Sequence, residues 1–289
     1  MYEKVETCPV CKSSNFKNHI ICTDHSISGE SFALTQCNNC SLILTNPRPD
    51  INQIGQYYES EDYISHADKS NSLINTIYRL VRNYTIRKKF KLVSSYANKK
   101  SLFDFGCGTG DFLNYLKQKS WEVSGFEPSK LAADKSKSKG ISLIENITTG
   151  KDKFGIVTAW HVLEHVPDPA KTLKLLRKKT IKGGFIFIAV PNPRSYDANH
   201  YDEFWAGYDV PRHLSHFTRN SFGQLVKKSK LTLVDTLPMK FDSYYISMLS
   251  EKYKFGKINY FRAFKTGWIS NQKANKTGEY SSLIYVLKK

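Results

Sequence analysis

The sequence predicts an α/β protein: a mostly parallel sheet covered by helices on both faces, its last strand antiparallel, with a small metal-binding unit ahead of it. Three observations carry this. Past Lys100 short apolar runs alternate with helical stretches, the pattern of a parallel sheet with crossover helices. Near the end, two strand-like runs, Leu231 to Leu237 and Ser282 to Leu287, read as a final hairpin with a long excursion between its strands. Before the alternation begins, four cysteines stand as two Cys-x-x-Cys pairs.

The 289 residues suit a medium domain with a small appendage. Apolar residues at 40% and aromatics at 13% exclude a disordered or fibrous chain. The first residues lack the basic-then-apolar pattern of a signal peptide, and the longest apolar run is Phe185 to Val190. The expectation is a soluble, cytoplasmic protein with no membrane partner. Lys and Arg total 43 against 26 acids, a net charge of +17, which invites a nucleic-acid or membrane-surface partner. Nine arginines among those 43, spread along the chain, suit solvated helix faces better than a phosphate-reading patch.

Residues 1–45 read as a unit of their own. Cys8-Pro-Val-Cys11 and Cys37-Asn-Asn-Cys40 are separated by 25 residues, and each two-residue gap lets both thiolates of a knuckle face one tetrahedral ion. The arrangement resembles a zinc ribbon. Cys22, with His19 and His25 nearby, is either a substitute ligand or a spare buried thiol. A structural zinc contributes on the order of 10 kcal/mol, more than so short a segment obtains from burial, so without metal it should be unfolded.

Residues 46–98 form a connector and a long helix. Thr45 to Asp50 carries two prolines. From Ser72 to Tyr96 the apolar positions Leu73, Ile77, Leu80, Val81, Tyr84, Phe90 and Val93 recur at helical spacing. Its basic residues, Arg82, Arg87, Lys88, Lys89 and Lys91, read as a solvated face.

Residues 99–289 form the main domain. Strand-like runs stand at Leu102 to Phe105, Glu122 to Phe126, Ile141 to Ile144, Ile156 to Trp160 and Phe185 to Val190, with helices from Asp111 and Ser129. The informative stretch is Leu102-Phe-Asp-Phe-Gly-Cys-Gly-Thr-Gly110, an apolar strand that ends in an acid and opens into glycines before a helix. Glycines there let a ligand approach the backbone at the carboxyl edge of the sheet. A dinucleotide fingerprint fits poorly, because Asp111 stands where its third small residue belongs. Asp104 also places negative charge where pyrophosphate would sit, which favours a cationic or zwitterionic ligand.

Asp-x-Gly-x-Gly-x-Gly after a first strand resembles motif I of the class I S-adenosylmethionine-dependent methyltransferases, and the resemblance runs over about residues 99 to 289. It implies a Rossmann-like sheet and S-adenosylmethionine as cofactor, with S-adenosylhomocysteine as its product. Carried over residue by residue, it implies cofactor contacts at Asp104, Phe105, Gly106, Cys107, Gly108 and Gly110. It implies further contacts at Phe126, Glu127 and Pro128, with Glu127 accepting from both ribose hydroxyls. Glu145 and Asn146 correspond to the adenine end, and Trp160 and His161 to the methionine end. One departure is Gly155, where this family often has an acid. The ribbon, Trp160-His-Val-Leu-Glu-His165 and a later Tyr208-Asp-Val-Pro-Arg-His-Leu-Ser-His216 together resemble a bacterial subfamily, some ribbon-bearing relatives of which act on nucleotide-linked sugars.

His161, Glu164 and His165 at i, i+3 and i+4 match a metalloprotease pattern, but the zincin scaffold is missing. Some related O-methyltransferases carry Glu-x-x-Glu-His here and hold a divalent ion. A turn-capping role for Glu164 and His165, or His165 as substrate contact or base, are the other readings. His165, His213 and His216 are the candidate catalytic bases, since neutral imidazole is available at physiological pH. Tyr208, Asp209 and Arg212 are candidate substrate contacts in a polar loop that otherwise serves as a lid. Tyr244, Tyr245 and Trp268 either roof the pocket or belong to the core. The expected activity is methyl transfer to oxygen or carbon of a small molecule or sugar-type metabolite. An RNA methyltransferase docking through ribbon and basic surface, and a non-catalytic binding module, are the alternatives.

Overall fold

A computed structural model describes residues 2–58, 73–148 and 152–289; of 73–80 only the backbone is described. Ser72, the expected helix start, and the rest of the connector from 59 lie outside these residues. In chain order the elements are β1 (Tyr2–Glu3), β2 (Phe16–Thr23), β3 (Ser31–Cys37), β4 (Ile43–Thr45), β5 (Arg48–Pro49), α1 (Leu73–Tyr96), β6 (Ser101–Phe105), α2 (Asp111–Lys117), β7 (Glu122–Phe126), α3 (Lys130–Ser138) and β8 (Ser142–Leu143). They continue with β9 (Phe154–Trp160), α4 (Pro169–Lys179), β10 (Thr180–Pro191), α5 (Tyr196–Tyr201), β11 (Ser215–His216), α6 (Arg219–Lys228), β12 (Thr232–Pro238), α7 (Asp242–Phe255), α8 (Tyr260–Thr277) and β13 (Ser282–Lys288).

The main sheet has seven strands in the order β12-β13-β10-β9-β6-β7-β8. β13 runs antiparallel to both neighbours, and the pairs β10–β9, β9–β6, β6–β7 and β7–β8 are parallel. The expected final hairpin is therefore β12–β13, with α7 and α8 as its excursion. β6 is buried at all five positions, and β9 at every position before Trp160. That is why these strands read as near-continuous apolar runs: helices cover both faces. α1 packs on one face through Phe90 and Val93, against Phe112, Leu116 and Trp121. Local signals fix several helix starts. Asp168 accepts from the Lys171 amide ahead of Pro169, and Thr218 and Ser221 form a reciprocal capping box on α6.

The N-terminal segment folds as a second sheet, whose order, β11-β4-β3-β2, includes a strand from far along the chain. β11 pairs antiparallel with β4, Ser215 opposite Leu44 and His216 opposite Ile43. The Thr45 hydroxyl donates to the His213 carbonyl at 2.6 Å, and Asn220 donates to the Cys40 carbonyl at 3.2 Å. The ribbon and the loop before α6 thus share one hydrogen-bonded sheet.

Candidate functional site

The glycine turn after β6 sets the site. Gly106, Gly108 and Gly110 all have positive φ, at 76°, 54° and 75°. A Cβ on Gly106 would lie 2.5 Å from Val162 Cγ2, so only glycine fits that crossing. At Gly108 a Cβ would meet nothing within 4 Å, which leaves one side of the turn open to a ligand. The Gly108 amide donates to Glu127 Oε2 at 2.8 Å, and the Ser129 amide donates to Oε1 at 2.9 Å. Two backbone donors leave lone pairs on this half-buried carboxylate for further hydroxyls. Phe105 stacks on Phe126 at 5.2 Å, and Cys107 is buried beneath Gly125. Pro128, Glu145 and Asn146 are exposed beyond the ends of β7 and β8. Asn146 holds the Thr148 amide and hydroxyl.

Asp104 is 3% exposed and accepts from the Thr158 hydroxyl at 2.6 Å. Burial pushes its carboxyl up to about 7, against the pull of Thr158 and of Lys89. Lys89 corrects the solvated-face expectation. It is only partly exposed, its ammonium lies 4.4 Å over the Trp160 ring, and its charge acts on Asp104 and Asp242. Burial lowers its affinity for the proton while the two acids resist. Trp160 closes β9 with its indole N–H unpartnered.

After Trp160 the chain turns sharply at His161, whose φ is 56°. His161 Nε2 lies 3.0 Å from Asp242 Oδ2 and Nδ1 3.3 Å from Glu164 Oε1. Burial opposes its charge, but the two carboxylates prevail and raise it to about 10, so this ring is an imidazolium and no base. His165 is the opposite case. Burial and the neighbouring His213 lower it to about 4, so it is neutral. Its Nδ1 lies 3.1 Å from the Arg212 carbonyl and 3.0 Å from the Tyr58 hydroxyl. A carbonyl only accepts, so Nδ1 carries the proton and Nε2 the lone pair. His213 repeats the arrangement with Nδ1 3.0 Å from the Gly207 carbonyl, and its Nε2 faces Glu164 Oε1 at 4.0 Å and Asp209 Oδ2 at 3.9 Å. Glu164 is 1% exposed and stays ionised against burial chiefly through its ion pair with His161, with His213 and His165 adding to it.

The other loop residues lie deeper than expected. Arg212, 2% exposed, donates to Asp24, Asp209, the Tyr57 carbonyl and the Val210 carbonyl. Every N–H of its fork is committed, so its expected role as a substrate contact gives way to a structural one. Tyr208, 5% exposed, hydrogen-bonds His19 at 3.3 Å and packs on His216. That bond joins it to the ribbon at His19. His216 is a buried β11 residue, 6.2 Å from the His213 ring, and burial lowers its basicity strongly. Asp209 keeps a quarter of its side chain exposed. Tyr244 stacks on Phe264, while Tyr245 and Trp268, at 51% exposed each, lie outside the core.

In the ribbon, the Sγ atoms of Cys8 and Cys40 are 3.5 Å apart and those of Cys11 and Cys37 3.4 Å, with all four within 4.8 Å of one another. Zn–S bonds of about 2.3 Å put tetrahedral sulfurs about 3.8 Å apart, so this set fits one zinc ion. None is in a disulfide. Cys22 stands outside the cluster, buried, and burial raises its thiol to about 12.

Residues 78–236, more than half of the chain, match a family described as a methyltransferase domain. Among curated proteins, a ubiquinone biosynthesis O-methyltransferase of Aeromonas salmonicida (strain A449) is 30% identical over 110 residues, 34% of this chain and 46% of that protein. One of the same name from Azoarcus sp. (strain BH72) is 26% identical over 159 residues, 46% of this chain and 68% of that protein. The chain spans about half the length of the first curated relatives it matches. Among solved structures, a magnesium protoporphyrin IX methyltransferase from Synechocystis PCC 6803 with bound SAH has a TM-score of 0.54 at 12% identity, over 83% of this chain and all of that one.

Proposed function

This chain belongs to the methyltransferase-domain family, and from that premise we propose that it transfers a methyl group from S-adenosylmethionine to an oxygen of a small molecule. The observation that carries the reading is the Asp104–glycine turn–Glu127 arrangement, open at Gly108. Relatives named for O-methylation in ubiquinone biosynthesis support an oxygen acceptor, and a sugar-type metabolite is the other small-molecule class kept in view. S-adenosylmethionine, when bound, supplies a methyl group on a sulfonium. Glu127 offers free lone pairs to two ribose hydroxyls. Asp104 and Lys89, whose charges act on each other, are a matched pair for the ammonium and carboxylate of an amino-acid end. In-line alignment supplies about 7 to 11 kcal/mol of the barrier, and a general base about 3 to 5 kcal/mol more. His165 is the favoured base, because its Nδ1–H is anchored on backbone and Nε2 stays unprotonated near neutral pH.

A second reading is favoured by one observation: Glu164, His165 and His213 place ligand atoms within 4.8 Å of one another, around a buried carboxylate. Both imidazoles are oriented by backbone carbonyls, the usual support for metal-bound histidines. These three residues would hold a divalent cation, which would lower the pKa of an acceptor hydroxyl. His165 Nε2 serves either as base or as ligand.

The proposed unit boundaries are 1–45 for the ribbon, 46–98 for the connector and helix, and 99–289 for the methyltransferase part. Calorimetric titration with S-adenosylmethionine and S-adenosylhomocysteine tests the first reading, with micromolar binding expected. A folded, zinc-loaded protein that binds neither would overturn it. Activity that chelation abolishes and Mg2+ or Mn2+ restores, with zinc still bound, selects the second reading; unchanged activity selects the base.

A further inference from the structure

In the helical pair α7–α8, α8 is built inside out. The face that α8 buries carries Ala263, Thr266, Gly267, Ser270, Asn271 and Ala274, while Tyr260, Phe261, Phe264 and Trp268 are 63%, 79%, 64% and 51% exposed. α7 is mixed: it buries Ser243, Ser247 and Ser250 beside Ile246 and exposes Tyr245 and Phe255. A helix on a water-facing surface normally does the reverse. The small inner residues let the two helices come close: a Cβ on Gly267 would lie 2.8 Å from Tyr244 Cδ1. The contact is closed by polar bonds, Ser243 to the Gly267 carbonyl at 3.1 Å and Asn271 to Ser243 at 2.9 Å. Phe261, Phe264, Lys265 and Trp268 follow at i, i+3, i+4 and i+7, so they form one stripe along the outer face. A contiguous exposed aromatic stripe of this kind marks an interaction surface.

Its charge says what covers it. Residues 240–278 hold seven lysines and one arginine against two acids. Both acids are committed, Asp242 to His161 at 3.0 Å and Glu251 to Arg262 at 2.8 Å. Lys252, Lys254, Lys257 and Lys265 are exposed around the aromatics. A second copy would bring the same positive charge against itself, whereas an anionic surface complements it. Tyr and Trp suit the water–lipid boundary, and long lysine stems let their ammonium groups reach phosphates beside them.

We propose that α7–α8 docks flat on an anionic lipid bilayer, its outer aromatics at the headgroup boundary and its lysines on lipid phosphates. No described helix is long and apolar enough to cross a membrane, and docking of this kind requires none. The expectation of no membrane partner rested on the absence of spanning segments and on the spread of lysines along the whole chain, whereas here the lysines surround an exposed aromatic stripe. Because α7 begins at Asp242, which grips His161, the docked surface borders the proposed methyl-transfer site. The proposal does not depend on that site's chemistry.

The test is cosedimentation of the full-length protein with vesicles of pure phosphatidylcholine and of phosphatidylcholine mixed with phosphatidylglycerol. Binding is expected to the mixed vesicles and to weaken with salt. The triple variant F261S/F264S/W268S, all at exposed positions, should keep the wild-type circular dichroism and lose the binding. K257A and K265A should each weaken it about fivefold. Failure of the wild type to bind, or equal binding by the folded triple variant, overturns the proposal. So does a wild-type dimer in sedimentation velocity that the triple variant dissolves while vesicles stay unbound.

Discussion

Asp104 and Glu127 occupy neighbouring strand ends yet are tuned differently, and each predicts a separate measurement. Glu127 holds two backbone amides of the turn, so Glu127→Ala should remove its bonds to the cofactor and its grip on the Gly108 and Ser129 amides together, and weaken S-adenosylmethionine binding by at least about 1 to 3 kcal/mol. Unchanged affinity in calorimetry would take Glu127 out of the site. Asp104 sits near 7 because burial disfavours its charge. To receive a cationic ammonium it must ionise, so below about pH 7 each bound cofactor displaces a proton, and affinity should fall roughly tenfold per pH unit there. Above that value the dependence should flatten. Asp104→Asn should bind weakly at every pH and show no such slope. These two acids were legible because the positive-φ turn between them demands glycine at fixed spacing. Lys89 was not legible: it stands among Arg87, Lys88 and Lys91, and only the packing of α1 on the sheet selects which cation faces Asp104. Asp242 was likewise silent, since its partner His161 is far away in sequence.

At the scale of elements, the loop between α5 and α6 owes its shape to the ribbon. Asp24, 1% exposed at the end of β2, accepts from three amides of its own turn and from two nitrogens of Arg212. Removing Asp24 leaves the buried Arg212 charge with Asp209 as its one remaining carboxylate, so Asp24→Ala should cost about 3 kcal/mol in denaturant unfolding, the low end for breaking a buried pair. A loss under about 1 kcal/mol would mean that water reaches Arg212. The sequence marked this loop as polar and dense in chemistry. It could not mark that Arg212 and Tyr208 turn toward residues 19 and 24, because the composition of a ligand-binding loop and of a buried polar interface is the same. The β and α alternation, by contrast, was readable nearly to the residue, since strands covered on both faces are written as unbroken apolar runs. α7 and α8 resisted reading for the opposite reason: their aromatic period is helical, but it points outward.

For the whole molecule, the four-cysteine centre and the proposed transfer site are linked through one sheet. Elemental analysis should find about one zinc per chain. Stripping it should unfold residues 1–45 and release β11, and with it the orientation of His213, so methyl transfer should be lost. Cofactor binding should survive, because Asp104, the glycine turn and Glu127 hang on β6 and β7. Parallel loss of both would show that the ribbon supports the main sheet as well. Catalytic failure without cofactor loss is the signature to look for.

The shared sheet also orders events in time. β4 is made early and its partner β11 more than a hundred residues later, so a nascent chain carries a strand edge with open amides and carbonyls until residue 216 has emerged. Such an edge is a template for pairing with other chains. During synthesis the metal is therefore the main device keeping the N-terminal segment shaped and out of aggregates, and zinc shortage should appear first as insoluble protein, before any assay of the finished molecule detects it.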